Sequence, residues 1–222
     1  MRDKQSYDFL RQCGMDSDKI MLTADEAMTL ALPDEQSCEN ILQKYGLTDS
    51  KYILISLRKW KKSPEGFEQT VTKAIEDICQ SLTLEPVFLV MEKKHDRELT
   101  VSVAANFENS KIIYHSFFPE EFLAIIKKSQ MVLSMRLHTL IFSGLCYKKM
   151  LGISYDPKVS AFLSSIGLEE ACLEIENVTW HKLSESVKHQ YAVQDPETYK
   201  DFIEQSKQSA FCNVTQAVKV LQ

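Results

Sequence analysis

The sequence predicts an α/β domain of the Rossmann-like, doubly wound type. Short apolar runs alternate with longer stretches of helical periodicity along most of the chain. The runs are nearly continuous rather than alternating, as in strands of a parallel sheet covered on both faces. The composition agrees: 222 residues, 44% hydrophobic and 26% charged, hold enough apolar side chains for one sizeable core.

The core is expected over residues 51–178. Lys51–Leu57 is rich in isoleucine and leucine and reads as a buried strand. Phe67 to Leu82 places Val71, Ala74, Ile75, Ile78 and Leu82 on one helical face. Pro86–Met91 is the next strand, with a helix expected from Arg97 to Asn106, and Lys111–Tyr114 is a short strand. Pro119 opens a helix through Lys127, and Glu120 and Glu121 suit the positive end of its dipole. Met131–Leu133 and Met150–Ser154 are strands, followed by helices from His138 to Leu145 and from Lys158 to Ile166.

Residues 1–50 lead into this core. They read as a helix from Gln5 to Cys13 stopped by Gly14, a short strand at Ile20–Thr23, and a polar helix from Asp34 to Tyr45 closed by Gly46. Residues 179–222 read as two helices broken near Asp195-Pro196 and lying outside the domain, with Trp180 and Phe211 as packing residues.

Lys+Arg number 26 against 31 Asp+Glu, a formal charge of −5. Such a chain has no global field for nucleic acid, so an anionic ligand needs locally placed cations. The basic run Arg58-Lys59-Trp60-Lys61-Lys62 reads as a solvated loop beside an anion cleft. No apolar run approaches a membrane span and the chain opens on charged residues, so a cytoplasmic protein is expected. The six cysteines are scattered, without a CxxC, and read as reduced structural residues. His95, His115, His181 and His189 have no partners at metal spacing, so no metal is expected. GxGxxG and GxxxxGK[ST] are both missing and glycines number only six, which disfavours a nicotinamide cofactor or an NTPase. No cofactor is expected.

In doubly wound sheets ligands bind beyond the carboxyl ends of the strands. Arg58, Asp96, Arg136, His138, Asp156 and Lys158 all follow predicted strands. The densest group is Ser134-Met135-Arg136-Leu137-His138-Thr139 with Ser154-Tyr155-Asp156-Pro157-Lys158. Arg136 and His138 fall in a strand-to-helix turn, where free N–H groups favour an anion. Arginine supplies a planar fork for carboxylate or phosphate, and histidine suits proton transfer near neutrality. Two cations and a histidine on neighbouring strand ends make an anion site with an acid/base group attached.

These residues resemble a known family. MRLHTLIFSG followed by GISYDPKVSAFLSSIGL is similar to the C-terminal signature of the polysaccharide pyruvyl transferases. Arg2-Asp3 through Ser6 resembles the family's Arg-Asp-x-x-Ser segment, Thr23-Ala24-Asp25 its Thr-Ala-Asp turn, and Leu57-Arg58-Lys59-Trp60 its Leu-Arg-x-Trp strand end. Asp96 falls where the family has an Asp, while Glu92 stands where it usually has Gln and Ser134 where it usually has Gly.

The resemblance implies transfer of the enolpyruvyl group of phosphoenolpyruvate to a sugar diol on a glycan or lipid-linked acceptor, giving a pyruvate ketal and phosphate. It implies the C-terminal half of a GT-B-like fold with its active site between two Rossmann-like domains. Carried over, Arg136 and Lys158 match positions that hold the donor's carboxylate and phosphate, His138 the general acid/base, and Arg58 a further cleft cation. A separate N-terminal domain or subunit is the expected partner, and the chain is expected to be inactive alone. Two other readings stand beside this one. The first is the C-terminal half of a GT-B glycosyltransferase, with Asp156 as a weak candidate for ribose hydroxyls. The second is a non-catalytic interaction module of the same fold.

Overall fold

The apolar run after Lys51 forms β1 (Tyr52–Ser56), buried along its whole length. In the computed structural model, which describes residues 1–114 and 118–221, β1 is flanked by β2 (Glu85–Val90) and β4 (Met131–Ser134). β3 (Lys111–Tyr114) extends the sheet beyond β2, and β5 (Met150–Ser154) and β6 (Cys172–Glu174) extend it beyond β4. All pairings are parallel, and the order is β3-β2-β1-β4-β5-β6. The chain therefore steps outward from β1, then returns to build the other half from β4. That reversal opens a crevice above the carboxyl ends of β1 and β4.

Side chains alternate across the strands, so one sheet builds two cores. Ile53 and Ile55 pack with Val71, Ile75 and Ile78 of α3 (Phe67–Leu82), Leu99 and Val103 of α4 (Lys93–Ala104), and Leu183 and Val187 of α8 (Trp180–Val193). Tyr52 and Leu54 face the other layer. There α2 (Glu35–Tyr45), α5 (Pro119–Lys128), α6 (Leu137–Leu145) and α7 (Pro157–Ser165) contribute Leu42, Ile125, Leu140 and Leu163. Gly152 is what lets α6 and α7 lie so close to β5. A Cβ there would come within 2.7 Å of Leu163, 3.0 Å of Val159 and 3.2 Å of Leu140.

The N-terminal segment is tied to this second layer. Asp3 caps α1 (Lys4–Gln12), accepting bonds from the Ser6 N–H at 2.7 Å and the Ser6 hydroxyl at 2.9 Å. Arg2 pairs with Asp25 at 2.8 Å, and Asp25 also accepts the Ala27 N–H, starting the 3-10 turn 26–29 whose Met28 enters the core. The last helix, α9 (Lys200–Leu221), crosses this turn and α6: Ile203 and Ala210 are buried, and Asn213 donates to the Ala24 carbonyl at 3.1 Å.

Four local expectations are revised. Ile20–Thr23 forms no strand. It follows a 3-10 turn at 17–19, Met21 and Leu22 are exposed, and it is tied chiefly to Met1, whose ammonium donates to the Met21 carbonyl and whose carbonyl accepts the Thr23 N–H, since no sheet edge lies beside it. α4 begins at Lys93 rather than Arg97, because the Asp96 carboxylate accepts the Glu92 N–H and starts the helix a turn early. β6 is an additional short edge strand. Phe211 is 56% exposed rather than packed, whereas Trp180 is half-buried beneath the Lys73 ammonium. His115 lies outside the described residues. All six cysteines are free, and no helix among the described residues is long and apolar enough to cross a membrane.

Candidate functional site

Arg58, Arg136, His138 and Lys158 all lie at the carboxyl edge of the sheet, on the segments leaving β1, β4 and β5. Arg136 is the N-cap of α6, with extended backbone, and Ser134 fixes its orientation. The Ser134 hydroxyl accepts the Arg136 N–H at 2.8 Å and donates to the Arg136 carbonyl at 3.0 Å. Arg58 leaves β1 with its guanidinium 5.7 Å from the centre of the Tyr155 ring, and Tyr155 stacks against Trp60 at 5.2 Å.

The two arginines meet at one carboxylate. Glu92 Oε2 is 3.5 Å from Arg58 Nη1 and 3.4 Å from Arg136 Nη2, and Glu92 Oε1 is 3.5 Å from His95 Nε2. Beneath them Asp96 is fully buried, its Oδ2 accepting the Glu92 N–H at 2.8 Å and its Oδ1 3.5 Å from Arg136 Nη1. That last contact is an ion pair by distance only, and Oδ1 makes no hydrogen bond among the described residues. Burial pushes the Asp96 carboxyl up to about 6, outweighing the Glu92 N–H bond and the Arg58 charge, which act the other way.

Lys158 faces a different wall. It sits in the first turn of α7, capped by Asp156, which accepts the Lys158 N–H at 3.0 Å. Its ammonium has no ion pair or hydrogen bond among the described residues. It lines a groove of about 940 Å³ with Arg2, Lys4, Asp25, Leu137 and Asp156. His138 is exposed in the first turn of α6, next to the groove-lining Leu137, with its ring 6.4 Å from that of Phe142. The edge thus holds an arginine pair above β1 and β4, a lysine groove beside α7, and a histidine on the helix between. Contacts join Arg58 to Arg136 through Glu92, and none among the described residues joins His138 or Lys158 to that pair.

Sequence reasoning missed His95 as a member of the site, named Glu92 only as a departure from the family's usual Gln, and had Tyr155 in its densest group without giving it a role. Glu92 and Tyr155 follow strand ends closely, so the positional rule that found Arg58 could have found them. Arg2 and Lys4 reach the groove only because α1 folds back beside α7, which no local pattern announces. Among the described residues, no group of three or more His, Cys, Asp and Glu side chains is placed to hold a metal.

The chain is a doubly wound, Rossmann-like domain with cations gathered at the switch point of its sheet. Solved structures bear out the architecture. A UDP-GlcNAc 2-epimerase from Neisseria meningitidis bound to UDP-GlcNAc matches with a TM-score of 0.72 and 16% identity, over 98% of this chain and 60% of that one. A putative UDP-N-acetylglucosamine 2-epimerase from Listeria monocytogenes gives 0.67 and 15%, over 98% and 57%. A glycosyltransferase from Rickettsia africae gives 0.59 and 14%, over 93% and 57%. At such identities the likeness is one of fold, and the chain spans between 57% and 60% of these proteins' lengths. No curated protein sequence matches significantly. The polysaccharide pyruvyl transferase profile matches residues 1–157 of the 222, and the chain belongs to that family.

Proposed function

We propose that the chain is the donor-binding half of an enzyme of polysaccharide biosynthesis that transfers the enolpyruvyl group of phosphoenolpyruvate to a sugar diol. The observation that carries the reading is that the family match, over residues 1–157, includes Arg58, Arg136 and His138, which lie at one strand edge, and stops one residue short of Lys158. Phosphoenolpyruvate presents a carboxylate and a phosphate, and this edge presents two separate cationic walls for them. The reaction requires a proton on C3, attack of one hydroxyl on the resulting cationic C2, and displacement of phosphate by the second hydroxyl. The proton released by the first hydroxyl replaces the one given to C3, and the second leaves with phosphate.

In this reading His138, solvent-accessible on the helix between the two walls, delivers the proton to C3. Arg136 and Lys158 hold the anionic groups, and these cations stabilise the charge that the phosphate gains as it leaves. A second domain closes the cleft, excludes water and brings the acceptor. The nucleotide-sugar alternative draws on the fold neighbours, and its weak candidate for ribose hydroxyls, Asp156, lines the groove while one of its carboxylate oxygens caps α7. Calorimetry with phosphoenolpyruvate and with a UDP-sugar separates the two. Tighter binding of phosphoenolpyruvate, weakened by Arg136→Ala, supports pyruvyl transfer. Equal heats for the wild type and that variant, or preference for the UDP-sugar, overturns it.

A further inference from the structure

The carboxylate of Glu92 occupies the place between Arg58 and Arg136 that an anionic ligand would take. Its Oε2 is almost equidistant from the two guanidinium groups, at 3.5 and 3.4 Å. Planar guanidinium forks bind carboxylate and phosphate oxygens by the same geometry, so the glutamate and a ligand compete for the same donors. We propose that Glu92 is a built-in occupant of the anion seat, a displaceable side chain that sets the affinity and selectivity of the arginine pair. The inference rests on reading this edge as an anion site, and it adds a regulating residue to it.

Three features mark Glu92 as the movable member rather than a strut. It is the N-cap residue of α4, yet its side chain makes no cap bond, so the helix keeps its start when the carboxylate swings away. The backbone there is held instead by Asp96, through the 2.8 Å bond from the Glu92 N–H. The Glu92 side chain is 43% exposed, against 17% for Arg136 and none for Asp96, so it has open solvent to move into. Asp96 is the fixed counter-charge beneath the pair, and Glu92 the one on top. With both carboxylates in place the pair is nearly neutralised. An incoming group must offer more negative charge than a carboxylate to take the seat, which favours a phosphate over a simple acid. The other polar neighbour is His95, 3.5 Å from Glu92 Oε1, which the swing releases.

The test uses the full chain and inorganic phosphate as probe, followed by calorimetry, with circular dichroism confirming the fold. Glu92→Gln keeps the shape and removes the charge, so phosphate binding is expected to tighten about tenfold, or about 1.4 kcal/mol. Glu92→Ala should give a gain of the same sign. Adding Arg136→Gln to Glu92→Gln should abolish the gain, which assigns it to the arginine pair. Unchanged or weaker phosphate binding in Glu92→Gln, loss of fold in both single variants, or a gain that survives Arg136→Gln overturns the proposal. Because the Arg136→Gln arm isolates the arginine seat from any other phosphate contact, these outcomes stand apart from the pyruvyl reading, which fails instead on phosphoenolpyruvate selectivity.

Discussion

Arg136 reaches 3.5 Å to Asp96, a carboxylate with no exposure to solvent at all. A cation at the mouth of the crevice is thereby anchored to an acid in its floor. The same burial raises the Asp96 carboxyl from its ordinary 3.8 to about 6, so the folded chain holds this proton more tightly than the unfolded chain does. The stabilising contribution is complete below about pH 4 and is lost as pH rises through about 6. Above that range the folded state carries a penalty on the order of 3 kcal/mol. Asp96→Asn removes this titration. Urea unfolding of both proteins at pH 7 and 4.5 should show the difference shifting toward the wild type at the lower pH, by on the order of 2 kcal/mol. A pH-independent difference would remove Asp96 from the titration.

Lys158 differs from the arginines in having no carboxylate partner among the described residues. Removing it therefore strands no buried charge and leaves stability within about 0.5 kcal/mol. Its contribution to a bound phosphate is a charge-assisted contact, of the class worth roughly 1.5–3 kcal/mol. Lys158→Ala should lower phosphate affinity by at least tenfold in a chemical-shift titration while the unfolding midpoint stays put. An unchanged affinity would place the phosphate elsewhere, at the arginine pair alone.

Gly152 packs β5 directly against α6 and α7, with no room for a methyl group before Leu163 at 2.7 Å. Overpacking of this kind costs typically about 1–3 kcal/mol. Gly152→Ala should destabilise the fold by that amount in denaturant unfolding. Enlarging the space with Leu163→Val in the same chain should recover part of the loss, because the two changes share one contact.

Strand and helix periodicity made the sheet and both of its layers legible, because buried parallel strands carry unbroken apolar runs. Where a segment's conformation depends on distant partners, the sequence was silent. Ile20–Thr23 has strand-like residues but no neighbouring edge to pair with, and Cys172–Glu174 becomes β6 only because β5 lies beside it. The candidate site divides the same way. Arg58, Arg136, His138 and Lys158 are visible from their position after strands. Glu92 shows in the sequence only as a departure from the family's usual Gln, until the fold sets it between two arginines 44 and 34 residues away. The Arg2–Asp25 pair joins two motifs whose relation is purely tertiary.

His138 is the test of chemistry as distinct from binding. It stands in the first turn of α6, exposed, two residues past the arginine that Ser134 locks in place, and its side chain makes no hydrogen bond among the described residues. Nothing in the fold depends on its side chain, so His138→Ala should leave the unfolding midpoint unchanged. Phosphate binding should also persist, since Arg136 and Lys158 remain. General acid/base help is worth typically about 10²–10⁴-fold, while holding both substrates in a closed cleft can contribute more. The chain by itself is therefore expected to release little or no phosphate from phosphoenolpyruvate in the presence of a sugar diol. Turnover should appear when a separate N-terminal domain of the family is supplied to close the cleft. In that complex His138→Ala should reduce the rate by about 10²–10⁴-fold with donor affinity nearly unchanged, a loss in kcat rather than in KM. Robust turnover by the lone chain would make the second domain dispensable. An active His138→Ala complex would take the histidine out of the proton transfer.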